Sequence, residues 1–317
     1  MIKFFYGVSE RYVDISDEVL RHCVYAGEVF IPADDTLRGL VFPDPAFGVV
    51  KNIVVIGQRN SDWICATFDA DTDVRIELAD DEHDKGLPPR FIARPSSDLP
   101  ITEQLDFLHS QLKLFGGNFQ CEYPEQTMTM MYLDPGAKVL ELGSNIGRNS
   151  LIIASMLDDD RNFVTLECDP ASVSVLRKNR FVNRLNFHIE PAALSYRALI
   201  QKGWVTVPSA ELLEGYRRVS TVTMEDIRAK YSINFDTLVL DCEGAIYQIL
   251  KDNDDLLRGI STILLESDYR TAKNKKWVNK LFAKKGLQKV YAQPLVGHED
   301  IAFPPECRES FFEVWKK

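Results

Sequence analysis

Lys138-Val-Leu-Glu-Leu-Gly-Ser-Asn-Ile-Gly-Arg-Asn-Ser-Leu151 is the stretch on which the reading of this chain turns. Its start, Val139 to Leu142, has the composition of a buried strand. Glycines at 143 and 147 mark a turn, and the apolar run Leu151 to Leu157 reads as a helix. Strand, turn and helix in that order put free backbone N–H groups at a helix start, and glycines remove the Cβ that would hold a ligand away from them. The spacing Glu141-x-Gly143-x-x-x-Gly147 has one glycine fewer than the dinucleotide pattern G-x-G-x-x-G and carries an acid inside the strand.

A carboxylate beside such a turn suits a ligand with an ammonium and a sulfonium group better than a pyrophosphate, and S-adenosylmethionine is such a ligand. Glu141, Gly143, Ser144, Asn145 and Gly147 are therefore the first candidate cofactor contacts. Taken alone, the motif is as compatible with an ordinary βα turn.

Downstream, strands and helices alternate: Asn162 to Glu167, a helix over Pro170 to Asn183, Asn186 to Glu190, Phe235 to Asp241, a helix through Ile246 and Leu250, then Thr262 to Glu266 and a Lys-rich helix. Trp204 to Pro208 and Ser220 to Thr223 read as an extra hairpin, and Lys289 to Gln293 with Asp300 to Phe303 as an antiparallel edge. Alternation of this kind gives a doubly wound sheet with right-handed crossovers. Upstream, Leu105, Leu108, Leu112 and Phe115 fall at helical spacing, closed by Gly116-Gly117. Residues 1–80 read as short strands and turns, an all-β accessory domain with one short helix near Ser16; residues 81–100 read as a linker, and 101–317 as the α/β domain.

In such sheets ligands bind beyond the carboxyl ends of the strands, and this chain puts an acid at that end of strand after strand: Glu141, Glu167, Glu190, Asp241 with Glu243, and Glu266 with Asp268. Glu167 lies 24 residues beyond Gly143, the offset at which an acid accepts from both ribose hydroxyls. Glu190 and Ala192 are placed for adenine, the acid accepting from the amine and the Ala192 N–H donating to a ring nitrogen. Asp241-Cys-Glu-Gly244 stands where donor and acceptor would meet. Candidate bases for an acceptor hydroxyl are Asp241, Glu243, Glu266 and His298, the last for its unperturbed pKa of about 6.5. In the alternative, Asp241, Glu243 and Glu266 hold a divalent cation such as Mg²⁺.

Val139-Leu-Glu-Leu-Gly-Ser-Asn-Ile-Gly147, Leu166-Glu-Cys-Asp-Pro170, Ala192-Ala-Leu-Ser195, Thr221-Val-Thr-Met-Glu-Asp-Ile227 and Leu240-Asp-Cys-Glu-Gly-Ala245 together resemble, in that order, the FkbM-type S-adenosylmethionine-dependent methyltransferases. The resemblance runs roughly from Tyr123 to Phe303, and Asp241-x-Glu243-Gly244 is its most specific match. It implies a class I (Rossmann-like) methyltransferase fold and O-methylation of a hydroxyl on a carbohydrate acceptor, a glycan or a glycosylated or nucleotide-linked small molecule. Cys168, a cofactor candidate by position, stands where that family commonly has proline, and Leu-Glu-Leu-Gly replaces the more usual Asp-x-Gly. Residues 1–80, with Ile31-Pro-Ala-Asp-Asp35 and Phe42-Pro-Asp-Pro-Ala-Phe-Gly-Val-Val-Lys51, are similar to modules in glycan-building proteins of large DNA viruses. That likeness implies glycan binding, a glycosyltransferase partner or a homo-oligomer contact.

Composition bounds the rest. An apolar share of 45% and a charged share of 26% belong to a soluble globular chain. No run approaches the roughly 20 apolar residues of a membrane span, and the expected location is the cytoplasm, that of a host cell if the chain is viral. Residues 1–100 hold 10 Lys and Arg against 18 Asp and Glu, a net of −8 out of −10, which argues against nucleic acid as a partner. Lys273, Lys275, Lys276, Lys280, Lys284 and Lys285 read as a solvated helix face. Six cysteines without any C-x-x-C read as reduced packing residues. Rival readings are an NAD-dependent oxidoreductase, disfavoured by the glycine spacing, and a non-catalytic binding protein on a nucleotide fold.

Overall fold

In a computed structural model the described residues are 2–9, 11–25, 28–59, 62–77, 92–253, 255–296 and 303–317. The chain divides into two compact units, 1–93 with 177–186, and 94–176 with 187–317.

The first unit holds β1 (Ile2–Val8), β2 (Arg11–Asp14), α1 (Ser16–His22), β3 (Val24–Tyr25), β4 (Glu28–Ile31), α2 (Asp35–Val41), β5 (Asn52–Arg59), β6 (Asp62–Phe68) and β7 (Val74–Glu77). The strands form two antiparallel sheets, ordered β2-β1-β5-β6 and β3-β4-β7. Alternation along β1 turns Phe4 and Tyr6 inward, where they meet Val29, Ile31, Ile53 and Val55. Phe181 and Val182 from residues 177–186 complete this core. The antiparallel strand region matches the sequence reading, but Pro32 to Asp35 is more than a turn. Asp34 caps α2, accepting from Thr36 N at 2.9 Å and Leu37 N at 3.2 Å, because an aspartate ahead of an apolar turn satisfies the orphan N–H groups of a helix start. The acidic run Asp80 to Asp84 lies outside the described residues.

The second unit opens with α3 (Ile101–Gln111), a 3₁₀ turn at Phe119–Glu122 and α4 (Tyr123–Tyr132). Then come β8 (Val139–Leu142), α5 (Arg148–Met156), β9 (Phe163–Leu166), α6 (Pro170–Val182), β10 (His188–Glu190), β11 (Ala193–Leu194), β12 (Leu199–Lys202), β13 (Val205–Pro208), β14 (Arg217–Val219) and β15 (Thr221–Val222). The chain closes with α7 (Met224–Tyr231), β16 (Thr237–Leu240), α8 (Ile246–Asp252), β17 (Thr262–Glu266), α9 (Ala272–Lys284), β18 (Gln288–Gln293), α10 (Pro305–Arg308) and β19 (Phe312–Lys316). Seven strands form one sheet in the order β10-β9-β8-β16-β17-β19-β18. The first five are parallel, and β19 runs antiparallel between β17 and β18.

This is the Rossmann-like sheet the sequence implied. Successive strands step one way from β8 to β10 and the other way from β16 onward, so the order reverses between β8 and β16, whose register pairs Leu142 with Leu240. Crossovers diverge there and leave a crevice above the strand ends. Buried residues at every position of β8, β9 and β16 explain their near-continuous apolar runs, as expected of parallel strands covered on both faces.

Three expectations change. Trp204 to Pro208 pairs not with Ser220 to Thr223 but within an antiparallel sheet of β13, β12 and β14, while β15 pairs in parallel with β11. The strand beside β18 is β19, formed by the C-terminal run Phe312-Glu-Val-Trp-Lys316; of the expected Asp300 to Phe303 strand, residues 300–302 are not described. Lys275 is not on a solvated face: it is buried and paired with Glu313. Among the described residues no helix is long and apolar enough to cross a membrane.

Candidate functional site

The turn after β8 is shaped by two glycines. Gly143 has φ +85°, and a Cβ there would stand 1.6 Å from Asp241 O, so only glycine lets β8 end against β16. Its N–H donates to Leu166 O at 3.0 Å. Gly147 caps α5 at φ +91°, and a Cβ would press on Leu176 Cδ1 at 2.4 Å. Between them Asn145 sits at φ +50°, a left-handed position asparagine tolerates, and donates its N–H to Glu167 Oε2 at 2.7 Å. Glu167 Oε1 accepts from Asp169 N at 2.7 Å. The acid that ends β9 therefore holds the turn in place. Burial raises its pKa, opposed by those N–H bonds. Ser144 Oγ is buried with no hydrogen-bond partner.

Above this turn opens a crevice of about 560 Å³. Gly143, Asn145, Glu167 and Cys168 line one part of it, and Asp241, Glu243 and Gly244 another. Ala192 lines it as well. The β12–β14 sheet forms a further wall through Gln201, Trp204 and Thr206. Arg217 of β14 anchors that sheet, donating to Cys168 O at 3.2 Å and Asp169 Oδ1 at 3.0 Å. Trp204 is 58% exposed although it lines the crevice, unusual for so apolar a ring. Glu243, at φ +51°, is exposed, with Arg270 nearby. Burial, with the charge of Glu167 behind it, pushes the Cys168 thiol up to about 11, so it stays protonated at neutral pH.

Two expected adenine contacts are committed elsewhere. Glu190 Oε2 accepts from Lys230 Nζ and Tyr231 Oη, each at 2.8 Å, and the residue does not line the crevice. The Ala192 N–H donates to Glu190 O at 2.9 Å and is not free for a ring nitrogen. A strand-end acid next to a helix carrying Lys230-Tyr231 finds its partners within the fold. His298 lies outside the described residues.

Beneath the crevice lies a second, small cavity of about 10 Å³, room for roughly one water, ringed by Glu122, Glu125, Glu141, Asp241 and Glu266. Carboxylate oxygens of Glu125, Asp241 and Glu266 lie within 4.8 Å of one another. Glu141 faces inward from β8, donated to by Thr165 Oγ1 at 2.7 Å and by Ser150 Oγ at 2.5 Å. Burial pushes its pKa up to about 8. Burial likewise pushes Glu125 up to about 7, while Asp241 and Glu266 rise well above the carboxylate range, through burial first and then the charge of Asp268 on Asp241 and of Asp241 on Glu266. Glu125 and Glu266 share a hydrogen bond, which requires a proton on one of them. Within the ring an ion pair joins Glu122 to Arg148 Nη1 at 2.7 Å, and the same guanidinium also acts on Glu125. The ring can hold protons, a divalent cation or the ammonium of a ligand. The trio that converges is Glu125, Asp241 and Glu266; Glu243, offered as a metal ligand from sequence, is not in it.

Sequence reasoning missed Glu122 and Glu125, which arrive from α4. The available signal was Pro124 at the start of a run, Glu125-Gln-Thr-Met-Thr-Met-Met131, in which Glu, Gln and three Met favour a helix. Arg217 carried no signal, since its role depends on how an insertion folds back.

No protein-family model matches the chain, and no curated protein does. Solved structures similar to it include an O-methyltransferase from Bacillus cereus in complex with SAH, at 13% identity and a TM-score of 0.38 over 70% of this chain and 92% of that one. Another is Aeropyrum pernix fibrillarin with natively bound S-adenosyl-L-methionine, at 12% identity and a TM-score of 0.35 over 61% and 73%. A protein of the NADB-Rossmann superfamily from Streptococcus agalactiae matches at 17% identity and a TM-score of 0.34 over 61% and 67%. Likenesses this low bear on neither the cofactor nor the acceptor of this chain.

Proposed function

We propose that this chain is an S-adenosylmethionine-dependent O-methyltransferase acting on a carbohydrate hydroxyl. The observation that carries the reading is the crevice at the sheet's switch point, with Gly143, Glu167 and Asp241 on its walls and a ring of protonatable acids beneath it. Its volume lies in the range of small-molecule sites. Glu167 accepts from the N–H groups of Asn145 and Asp169 with that of Cys168 beside them, and the four lone-pair sites of a carboxylate leave it capacity for a ribose hydroxyl. Asp241 and Glu266, whose charged neighbours are other acids, suit a ligand carrying an ammonium and a sulfonium. The resemblance of Asp241-x-Glu243-Gly244 and its companion motifs to sugar-modifying methyltransferases supports the acceptor class, and exposed Trp204 offers a flat apolar face on which a sugar ring can stack.

S-adenosylmethionine, when bound, supplies an electrophilic methyl group on sulfur. The chain's part is to hold the acceptor oxygen in line with it and to take the hydroxyl proton late in the step. Asp241 lines both cavities, and burial with the charge of Asp268 raises its pKa, which makes its carboxylate a stronger proton acceptor. Glu266 and Glu125 stand next to receive the proton. Glu243 is placed at the exposed edge of the crevice, toward the acceptor. The turn residues and Glu167 position the donor.

Methyl transfer assayed against monosaccharides and short glycans tests the reading. Asp241→Asn should lower kcat by about tenfold while S-adenosylmethionine affinity changes little, Glu266 remaining as a poorer substitute. The reverse pattern would make Asp241 a donor contact. Glu167→Ala should weaken S-adenosylmethionine by about 1.5–3 kcal/mol in a calorimetric titration, and unchanged affinity would remove it from the ribose. Binding of NADH instead would favour an oxidoreductase, and binding of neither ligand a non-catalytic fold. A metal-assisted version rests on the convergence of Glu125, Asp241 and Glu266, hard oxygen ligands suited to Mg²⁺. Turnover undiminished by EDTA removes it.

A further inference from the structure

The first unit has a cavity of its own, about 400 Å³, lined by Glu18, Arg21 and His22 of α1, by residues 39–43 at the end of α2 and by Arg184. Glu18, Arg21 and His22 share one face of α1 because they stand three and four positions apart. Arg21 and His22 also fall in its last turn, where positive charge suits the helix dipole. That accounts for one arginine and one histidine, not for the cations brought to them from elsewhere. Arg184 follows α6, and its Nη2 donates to Val41 O at 3.1 Å, which ties the guanidinium to a residue of the cavity wall. Arg180, fully buried, acts on the same histidine. Burial first, then the charges of Arg184, Arg21 and Arg180, push His22 down to about 4.

Residues 1–100 carry a net charge of −8, so this gathering of arginines runs against the composition of the region. Like charges collected round a concave surface repel one another, and an anion seated among them relieves the repulsion. Arginine forks match the oxygens of a phosphate, and a phosphate ester carries close to two negative charges at neutral pH. Three arginines against the one lining acid, Glu18, leave a net of about two positive charges, which suits a dianion better than a carboxylate. The remaining wall is apolar, with Leu40 and Pro43 exposed on it, and the volume is that of a small-molecule site.

We propose that this cavity binds a phosphate monoester, with Arg21 and Arg184 holding the phosphate beside His22 and the organic group lying against Leu40 and Pro43. The site does not depend on the reading of the crevice, which is built from the second unit.

Calorimetric titration of the full chain with phenyl phosphate, inorganic phosphate and phenol tests it. Phenyl phosphate should bind at least tenfold tighter than inorganic phosphate, which lacks the apolar part, and phenol should not bind measurably. Arg21→Glu, at an exposed position, and Arg184→Gln should each weaken phenyl phosphate about tenfold or more, the effect of one hydrogen bond to a charged group, with thermal unfolding confirming that both variants are folded. The NMR signals of the His22 ring, assigned through His22→Gln, should shift on saturation. Phenyl phosphate that fails to bind, that binds wild type and Arg21→Glu equally, or that leaves the His22 signals unmoved overturns the assignment. Equal affinity for inorganic and phenyl phosphate overturns the monoester as the ligand.

Discussion

Between pH 6 and pH 8 the affinity of this chain for S-adenosylmethionine should rise about 10- to 50-fold, the range for releasing one proton on binding from a group whose pKa is about 7 or about 8. The reason lies in the acid ring. Burial pushes Glu141 up to about 8 and Glu125 up to about 7, and Asp241 and Glu266 are raised by burial and by neighbouring carboxylates. In the unliganded chain at pH 6 Glu125 and Glu141 hold protons. A ligand ammonium favours the carboxylate form, so its binding at low pH must first expel a proton. Calorimetry at pH 6, 7 and 8 in buffers of different ionisation heat counts the protons directly. Glu141→Gln should flatten the profile if that side chain is the one that ionises, and a flat wild-type profile would remove the ammonium from the ring.

The same groups predict the opposite trend for the unliganded fold. A carboxyl whose folded pKa exceeds its unfolded value binds its proton more tightly in the native state. Its contribution to stability is complete below the unfolded pKa of about 4.3. It is lost as pH rises through the folded values of about 7 and 8. Thermal midpoints of the unliganded chain should therefore decline from pH 5 toward pH 8, and saturating S-adenosylmethionine should offset the decline at the alkaline end.

Lys275→Met should destabilise the second unit by about 3–5 kcal/mol, toward the lower figure. Glu313 is fully buried in the middle of β19 and accepts from Lys275 Nζ, Ser310 Oγ at 2.7 Å and Trp315 Nε1 at 2.7 Å. Lys275 Nζ also donates to Ser267 Oγ at 3.0 Å and Ser310 O at 2.9 Å. Burial alone would raise the Glu313 pKa, but Lys275 and the hydrogen bonds outweigh it and hold it low. Removing the lysine leaves a buried carboxylate with Lys289 Nζ, at 3.1 Å and more exposed, as its remaining cation. Urea unfolding measures the loss. Lys275→Met combined with Glu313→Leu should recover much of it, since a matched apolar pair is often no worse than a buried ion pair. A single variant as stable as wild type would show that Lys289 neutralises Glu313 unaided.

The sequence alone determined the parallel strands of the sheet and the turn. Apolar runs bounded by turn residues mark β8, β9, β16 and β17 because parallel strands covered on both faces must be apolar throughout. Glycines at 143 and 147 are legible because the backbone there has positive φ and no room for a side chain. Only the tertiary structure decided which acids meet. Glu167 and Asp241 reach the crevice, Glu190 is captured by Lys230 and Tyr231, and Glu125 joins Asp241 and Glu266 from a helix that precedes the sheet. Strand-end position fixes which rim a carboxylate occupies, but whether it faces a ligand, a lysine or another acid depends on helices remote in sequence. The same holds for Lys275, whose helical spacing matched its solvated neighbours and whose burial was set by where the C-terminal strand returned.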